Sequence, residues 1–156
     1  MHELQPARAA GWGRADDALC ACHDDGVPAP PPSLFVKDVI VDCHDLEVVA
    51  AFWSALLRRR EVGRAGPYIW LERRDGVGLG FQRTSTPKMA KNRLHLDLGS
   101  EDPVSEVARV EALGGRRLEG YEAGGFLVMV DPEGNEFCII PSQPFDVDDD
   151  GRANYQ

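Results

Sequence analysis

Residues 93–115, "RLHLDLGSEDPVSEVARVEALGG", change their hydrophobic period part-way along. Over the first six, Leu94, Leu96 and Leu98 alternate with His95 and Asp97. That is the period of two of a strand with one buried face. From Asp102 onward the apolar residues Val104, Val107, Ala108, Val110 and Leu113 fall at helical spacing. Asp102 suits an N-cap, and Pro103 suits the first helical position, where its missing N–H leaves nothing unsatisfied. Gly114-Gly115 supplies the stop.

The same order occurs earlier in the chain. "LFVKDVIVDCHD" (34–45) alternates as a strand and ends on Asp45, a second N-cap candidate. "LEVVAAFWSALL" (46–57) then places Val49, Phe52, Trp53, Leu56 and Leu57 on one helical stripe. Arg58, Arg59 and Arg60 follow, at the negative end of the helix dipole. Two short strands come after each helix. In the first half they are "YIWLER" and "GLGFQR", joined by "RDGVG". In the second half they are "FLVMV" and "EFCII", joined by "DPEGN". Two copies offset by about 55 residues are an internal duplication rather than a solenoid.

Around this duplicated body the composition changes. Residues 1–33 are rich in Ala, Gly, Asp and Pro and end in "VPAPPPS", which reads as a disordered leader or linker. Residues 143–156, with Asp146, Asp148, Asp149 and Asp150, read as a flexible acidic tail. Each end carries a net −3 of the total −9, so the body is close to balanced. No clustered excess of Lys and Arg marks a nucleic-acid surface. No apolar run approaches the roughly 20 residues of a membrane span, and no signal-peptide pattern opens the chain. Cys20, Cys22, Cys43 and Cys138 are therefore expected as reduced thiols of a cytoplasmic protein. "CACH" (20–23) has no second Cys/His pair at zinc-finger distance and reads as part of the leader.

Taken in order and spacing, "VDCHDLEVVAAFWSALL", "KNRLHLDL" and "DPEGNEFCII" resemble the glyoxalase-like branch of the vicinal oxygen chelate superfamily. That superfamily also includes bleomycin-resistance proteins and extradiol dioxygenases. The resemblance covers residues 35–141 and implies an α+β fold of two βαβββ modules, whose curled mixed sheets form a cleft. It places a glyoxalase-like domain at 34–142, with modules at about 35–84 and 91–141. Members commonly dimerise and bind small organic molecules, often with a divalent metal. The family takes ligands from the first and last strands of each module, the first-strand ligand lying seven residues before the helix-opening Asp. Carried over, this gives His95 and Asp38. The last-strand ligand lies four residues after the turn glycine, which gives Cys138 and, counted from Gly78, Gln82. The implied metal quartet is Asp38, Gln82, His95 and Cys138, where a His/Glu set is usual.

Strand parity puts the same residues on one side. Leu94, Leu96, Leu98, Val39, Val41, Leu79, Phe81, Phe137 and Ile139 should meet the helices. His95, Asp97, Asp38, Ile40, Asp42, Gly80, Gln82, Glu136, Cys138 and Ile140 should face the cleft. Only one of the four histidines, His95, falls at an implied ligand position, which argues against the two-His iron centre of a dioxygenase. The expected cofactor is none, or a divalent zinc, nickel, cobalt or manganese ion.

These residues support a small-molecule-binding protein with a degenerate metal site. Its cleft is lined by Asp38, Gln82, His95, Asp97 and Cys138, with Tyr68 and Trp70 as stacking surfaces. The alternative is a glyoxalase-like lyase or isomerase in which a metal polarises vicinal oxygens, with Glu136 or Asp97 as the proton shuttle. An interaction module whose cleft is filled by its own side chains is the third reading.

Overall fold

Asp45 and Asp102 do what their positions predict. β1 (Asp38–Cys43) leads into α1 (Leu46–Leu57), where the Asp45 carboxylate accepts the Val48 N–H at 3.2 Å. Later in the chain β5 (Leu96–Ser100) leads into α2 (Pro103–Ala112), where Asp102 accepts the Ser105 N–H at 3.1 Å. Between them lie β2 (Glu61–Ala65), β3 (Tyr68–Leu71) and β4 (Gly78–Arg83). After α2 come β6 (Arg116–Arg117), β7 (Leu127–Val130) and β8 (Glu136–Pro141). This computed structural model describes residues 34–74, 76–118, 126–143, 145–147, 149 and 153–155. The leader expected over 1–33 lies outside the described residues.

Each module makes a four-stranded mixed sheet, in the orders β1-β4-β3-β2 and β5-β8-β7-β6. In both, the strand before the helix runs parallel to the last strand of the module, and the remaining pairs are antiparallel. The two sheets are therefore copies of one topology, as the repeated strand–helix switch implies. The stretch read as a tail contains a further two-stranded hairpin, β9 (Phe145–Val147) with β10 (Ala153–Tyr155).

The core is not divided equally. Six α1 residues are buried, among them Val49, Phe52, Trp53 and Leu56, whereas α2 buries Val110 alone. Trp53 packs edge-on against Phe137 of β8 at 5.0 Å, and Phe52 meets the same ring at 6.1 Å. The first helix thus shares its core with the second sheet. Gly115 permits this approach. A Cβ there would lie 2.6 Å from Val110 Cγ1, 2.7 Å from the Val130 carbonyl and 3.0 Å from the Phe52 ring.

The "DPEGN" turn fastens the modules from the polar side. Asp131 is 2% exposed, and its carboxylate accepts the Trp53 indole N–H at 3.2 Å. It also accepts the Asn135 side-chain and backbone N–H groups, both at 2.9 Å, and the Glu133 N–H at 3.0 Å. A buried carboxylate is tolerated when its lone pairs are filled in this way. Next to it, the Glu133 carboxylate accepts the backbone N–H groups of His44 and Asp45, where a helix N-terminus favours negative charge. In the sequence this segment reads only as a turn.

Candidate functional site

The alternation read from the sequence sets the two faces of each sheet. Val39, Val41, Leu79, Phe81, Leu96, Leu98, Phe137 and Ile139 belong to or pack on the core. Leu94 departs from this and is 68% exposed, because β5 begins only at Leu96. His95 and Asp97 take the opposite face from Leu96 and Leu98.

In the second module that face gathers a cluster. His95 Nε2 lies 3.1 Å from an Asp97 carboxylate oxygen, and Asp97 is paired in register with Cys138 across the parallel β5–β8 ladder. One ligating atom from each of His95, Asp97 and Cys138 lies within 4.8 Å of the others. Cys138 is buried and its thiol is pushed up to about 11, first by burial and then by the charge and hydrogen bond of Asp97. Without a cation this cysteine is a protonated thiol rather than a nucleophile.

The first module treats the equivalent positions differently. Gly76 and Gly134 both have positive φ, 81° and 86°, so Gly76 is the counterpart of the "DPEGN" turn glycine. Four residues on from each lie Gly80 and Cys138. The ladders agree: Gly80 pairs with Ile40, five residues before Asp45, and Cys138 pairs with Asp97, five residues before Asp102. Gln82 sits two residues further along β4, opposite Asp42 and Tyr68. The place of a Gly80 side chain is taken, since a Cβ there would lie 2.8 Å from both Ile40 Cδ1 and Trp70 Cδ1. Trp70 in turn stacks on Tyr68 at 5.3 Å with the planes 13° apart. Asp38 is held by Arg73 at 2.8 Å and lies over Gly78, where a Cβ would come 1.9 Å from its carboxylate. The implied quartet is therefore spread out. His95 and Cys138 come together with Asp97, Asp38 is committed to Arg73, and Gln82 lies beyond the position that matches Cys138.

Between the edge strands β1 and β5 runs a hollow of about 300 Å³. Ile40 and Asp42 line it from the first module, and Asn92, His95, Asn135 and Glu136 from the second. Asp38, Gln82, Asp97, Cys138, Tyr68 and Trp70 are not part of its lining, although Ile40, which is, crowds the Gly80 position together with Trp70. Glu136 is 11% exposed and already engaged, by Lys88 at 3.1 Å and by the Asn92 N–H at 3.0 Å. Burial raises its carboxyl pKa, but the Asn92 N–H, a further backbone N–H and Lys88 outweigh this and hold it below the usual value. Lys88 lies in the connection between modules and Asn92 at the start of the second, and nothing in their sequence spacing marks them as partners of Glu136.

Two βαβββ modules with open mixed sheets flanking a seam hollow define the α+β vicinal oxygen chelate fold. The profile of the glyoxalase-like domain family matches residues 38–140, and the chain belongs to that family. Solved structures agree on the fold. A glyoxalase-related enzyme from Fulvimarina pelagi is 20% identical with a TM-score of 0.55, the match covering 78% of this chain and 97% of that one. A glyoxalase/bleomycin resistance protein from Albidiferax ferrireducens is 24% identical with a TM-score of 0.55, over 69% of this chain and 98% of its own. The fosfomycin resistance protein FosX from Listeria monocytogenes, solved with Mn(II), is 16% identical with a TM-score of 0.55, over 70% of this chain and 90% of its own. No protein of curated function matches the chain. Among the described residues no helix is long and apolar enough to cross a membrane.

The resemblance implies a metal that takes ligands from both modules. The first module does not fit that requirement, because Asp38 is ion-paired and Gly80 offers no ligand.

Proposed function

We propose that the protein binds a small organic molecule in the hollow between its modules and has a degenerate form of the family's metal site. The observation that carries this reading is the hollow itself, of about 300 Å³, with Ile40 as an apolar wall and Asp42, Asn92 and His95 as polar ones. A concave site at a domain seam, with polar groups converging on it beside apolar ones, is a usual setting for small ligands. Asp38, Gln82, Tyr68 and Trp70 would act from the adjoining face of the first module, Tyr68 and Trp70 as a stacked aromatic plate beside Ile40.

The alternative, a divalent-metal-dependent lyase or isomerase acting on a vicinal-oxygen substrate, has support in the fold shared with FosX. It is the weaker reading because both candidate proton shuttles are engaged, Glu136 by Lys88 and Asp97 by His95. A cytoplasmic homodimer completes the proposal, with residues 1–33 as a leader appended to the domain.

A metabolite library screened by thermal shift and ligand-observed NMR tests the reading. At least one compound should raise the melting temperature of the wild type. Ile40→Trp, which fills the hollow from an edge position, should abolish that rise and leave the unliganded melt in place. A library without hits, or hits indifferent to Ile40→Trp, would refute it.

A further inference from the structure

We infer that the ligand of the hollow is a small zwitterion, an amine-carboxylate of amino-acid size whose ammonium group meets Asp42 and whose carboxylate meets Arg93. This rests on the binding proposed above and names the chemical class of what is bound.

The titratable side chains that line the hollow are Asp42, Arg93, His95 and Glu136. Two of them already have partners, Glu136 in Lys88 at 3.1 Å and His95 in Asp97 at 3.1 Å. Neither Asp42 nor Arg93 has a side-chain hydrogen bond or ion pair among the described residues, with each other or with a third group. Asp42 comes from β1 of the first module, and Arg93 from the segment just before β5 of the second. One uncompensated charge of each sign therefore stands on each side of the seam. Both residues are exposed, so water screens each on its own, but a concave wall of low dielectric concentrates their fields inside the hollow. A simple anion attracted by Arg93 is repelled by Asp42, and a simple cation attracted by Asp42 is repelled by Arg93. A molecule that carries both charges satisfies both walls. The planar guanidinium fork suits a carboxylate. Ile40, two residues from Asp42 on the same strand face, gives the carbon chain between the charges an apolar contact. Ligand pockets run from about 300 to 1,000 Å³, and a hollow of about 300 Å³ suits a molecule of amino-acid size.

Saturation-transfer NMR and thermal shift on the full chain test this with glycine, alanine, β-alanine and γ-aminobutyrate. Each is compared with the acid that lacks its amine and the amine that lacks its carboxylate. At least one zwitterion should bind more than about tenfold tighter than both of its single-charge analogues. Asp42→Asn and Arg93→Gln should each weaken it by more than about tenfold. Each should also erase the preference over one analogue, Asp42→Asn over the acid and Arg93→Gln over the amine, a split that loss of fold would not produce. Glu111→Gln and Arg116→Gln, exposed charges on α2 and β6, should leave affinity within about twofold. Zwitterions that bind no tighter than their analogues, or that are indifferent to Asp42→Asn and Arg93→Gln, would overturn the inference. If this panel is silent while other metabolites bind and Ile40→Trp abolishes their binding, the zwitterion is refuted and the binding proposed above stands. Silence from panel and library alike refutes both.

Discussion

The two modules share a topology and differ in what they do with it. The first buries six residues of its helix and fills its cleft corner with Gly80, Ile40 and Trp70. The second buries a single helix residue and keeps His95, Asp97 and Cys138 together at the matching corner. The larger helix core and the His/Asp/Cys cluster are thus placed in different copies. This is possible because Trp53 and Phe52 reach across to Phe137, so the second sheet borrows the first helix's core. A duplicated fold need not satisfy both demands twice.

The largest effect should separate the two helices. Trp53→Ala should lower stability by roughly 3–5 kcal/mol in urea denaturation, since it leaves a large cavity. Val104→Ala on α2, where the side chain is 76% exposed, should change it by less than about 0.5 kcal/mol. Comparable losses from the two would break the contrast.

The carboxylates give the next comparison. Asp131→Ala strands the Trp53 and Asn135 donors in a buried site and should destabilise by about 2–3 kcal/mol. Asp38→Ala removes a partly exposed pair with Arg73 and should lower stability by less than about 1 kcal/mol. Denaturation midpoints of the two variants test this directly.

Glu136 offers a pH-dependent version. Its folded-state pKa lies below its ordinary value, so the carboxylate contributes stability above the unfolded pKa. That contribution is lost as pH falls through the lower, folded pKa. Glu136→Gln should therefore be less stable than wild type at neutral pH, by about 1 kcal/mol, and equal to it in acid. A gap that widens on acidification would show that Lys88 and Asn92 do not hold the ionised form.

The smallest effect concerns helix ends. α1 ends on Arg58 at φ 51°, a left-handed conformation unfavourable for a residue with a Cβ. α2 already has Gly114, φ 96°, just past its last residues. Arg58→Gly should raise stability by about 0.5 kcal/mol in thermal or urea unfolding.

Much of this was legible in the sequence. Asp45, Asp102 and Pro103 fixed both strand–helix switches, and the alternation through Leu96–Leu98 and Phe137–Ile139 fixed the faces. His95 and Asp38 follow from counting back from the caps. The match to Cys138 does not, because "DGVGLG" offers Gly76 and Gly78 two residues apart, and only a positive φ shows which one turns the chain. Counting from Gly78 reaches Gln82, whereas counting from Gly76 reaches Gly80. Asp97 was visible by parity as a neighbour of His95, but its approach to Cys138 depends on the β5–β8 register. The links from Asp131 to Trp53 and from Glu133 to His44 span 78 and 89 residues, and no local pattern announces them.

The most direct measurement of the asymmetry is a crystal structure of the full chain, read at the two matching corners. The expected result is a first-module corner closed by Ile40 and Trp70 over Gly80, with Asp38 paired to Arg73, and His95, Asp97 and Cys138 gathered in the second. Asp38 released from Arg73 and turned toward His95 across the seam would contradict it.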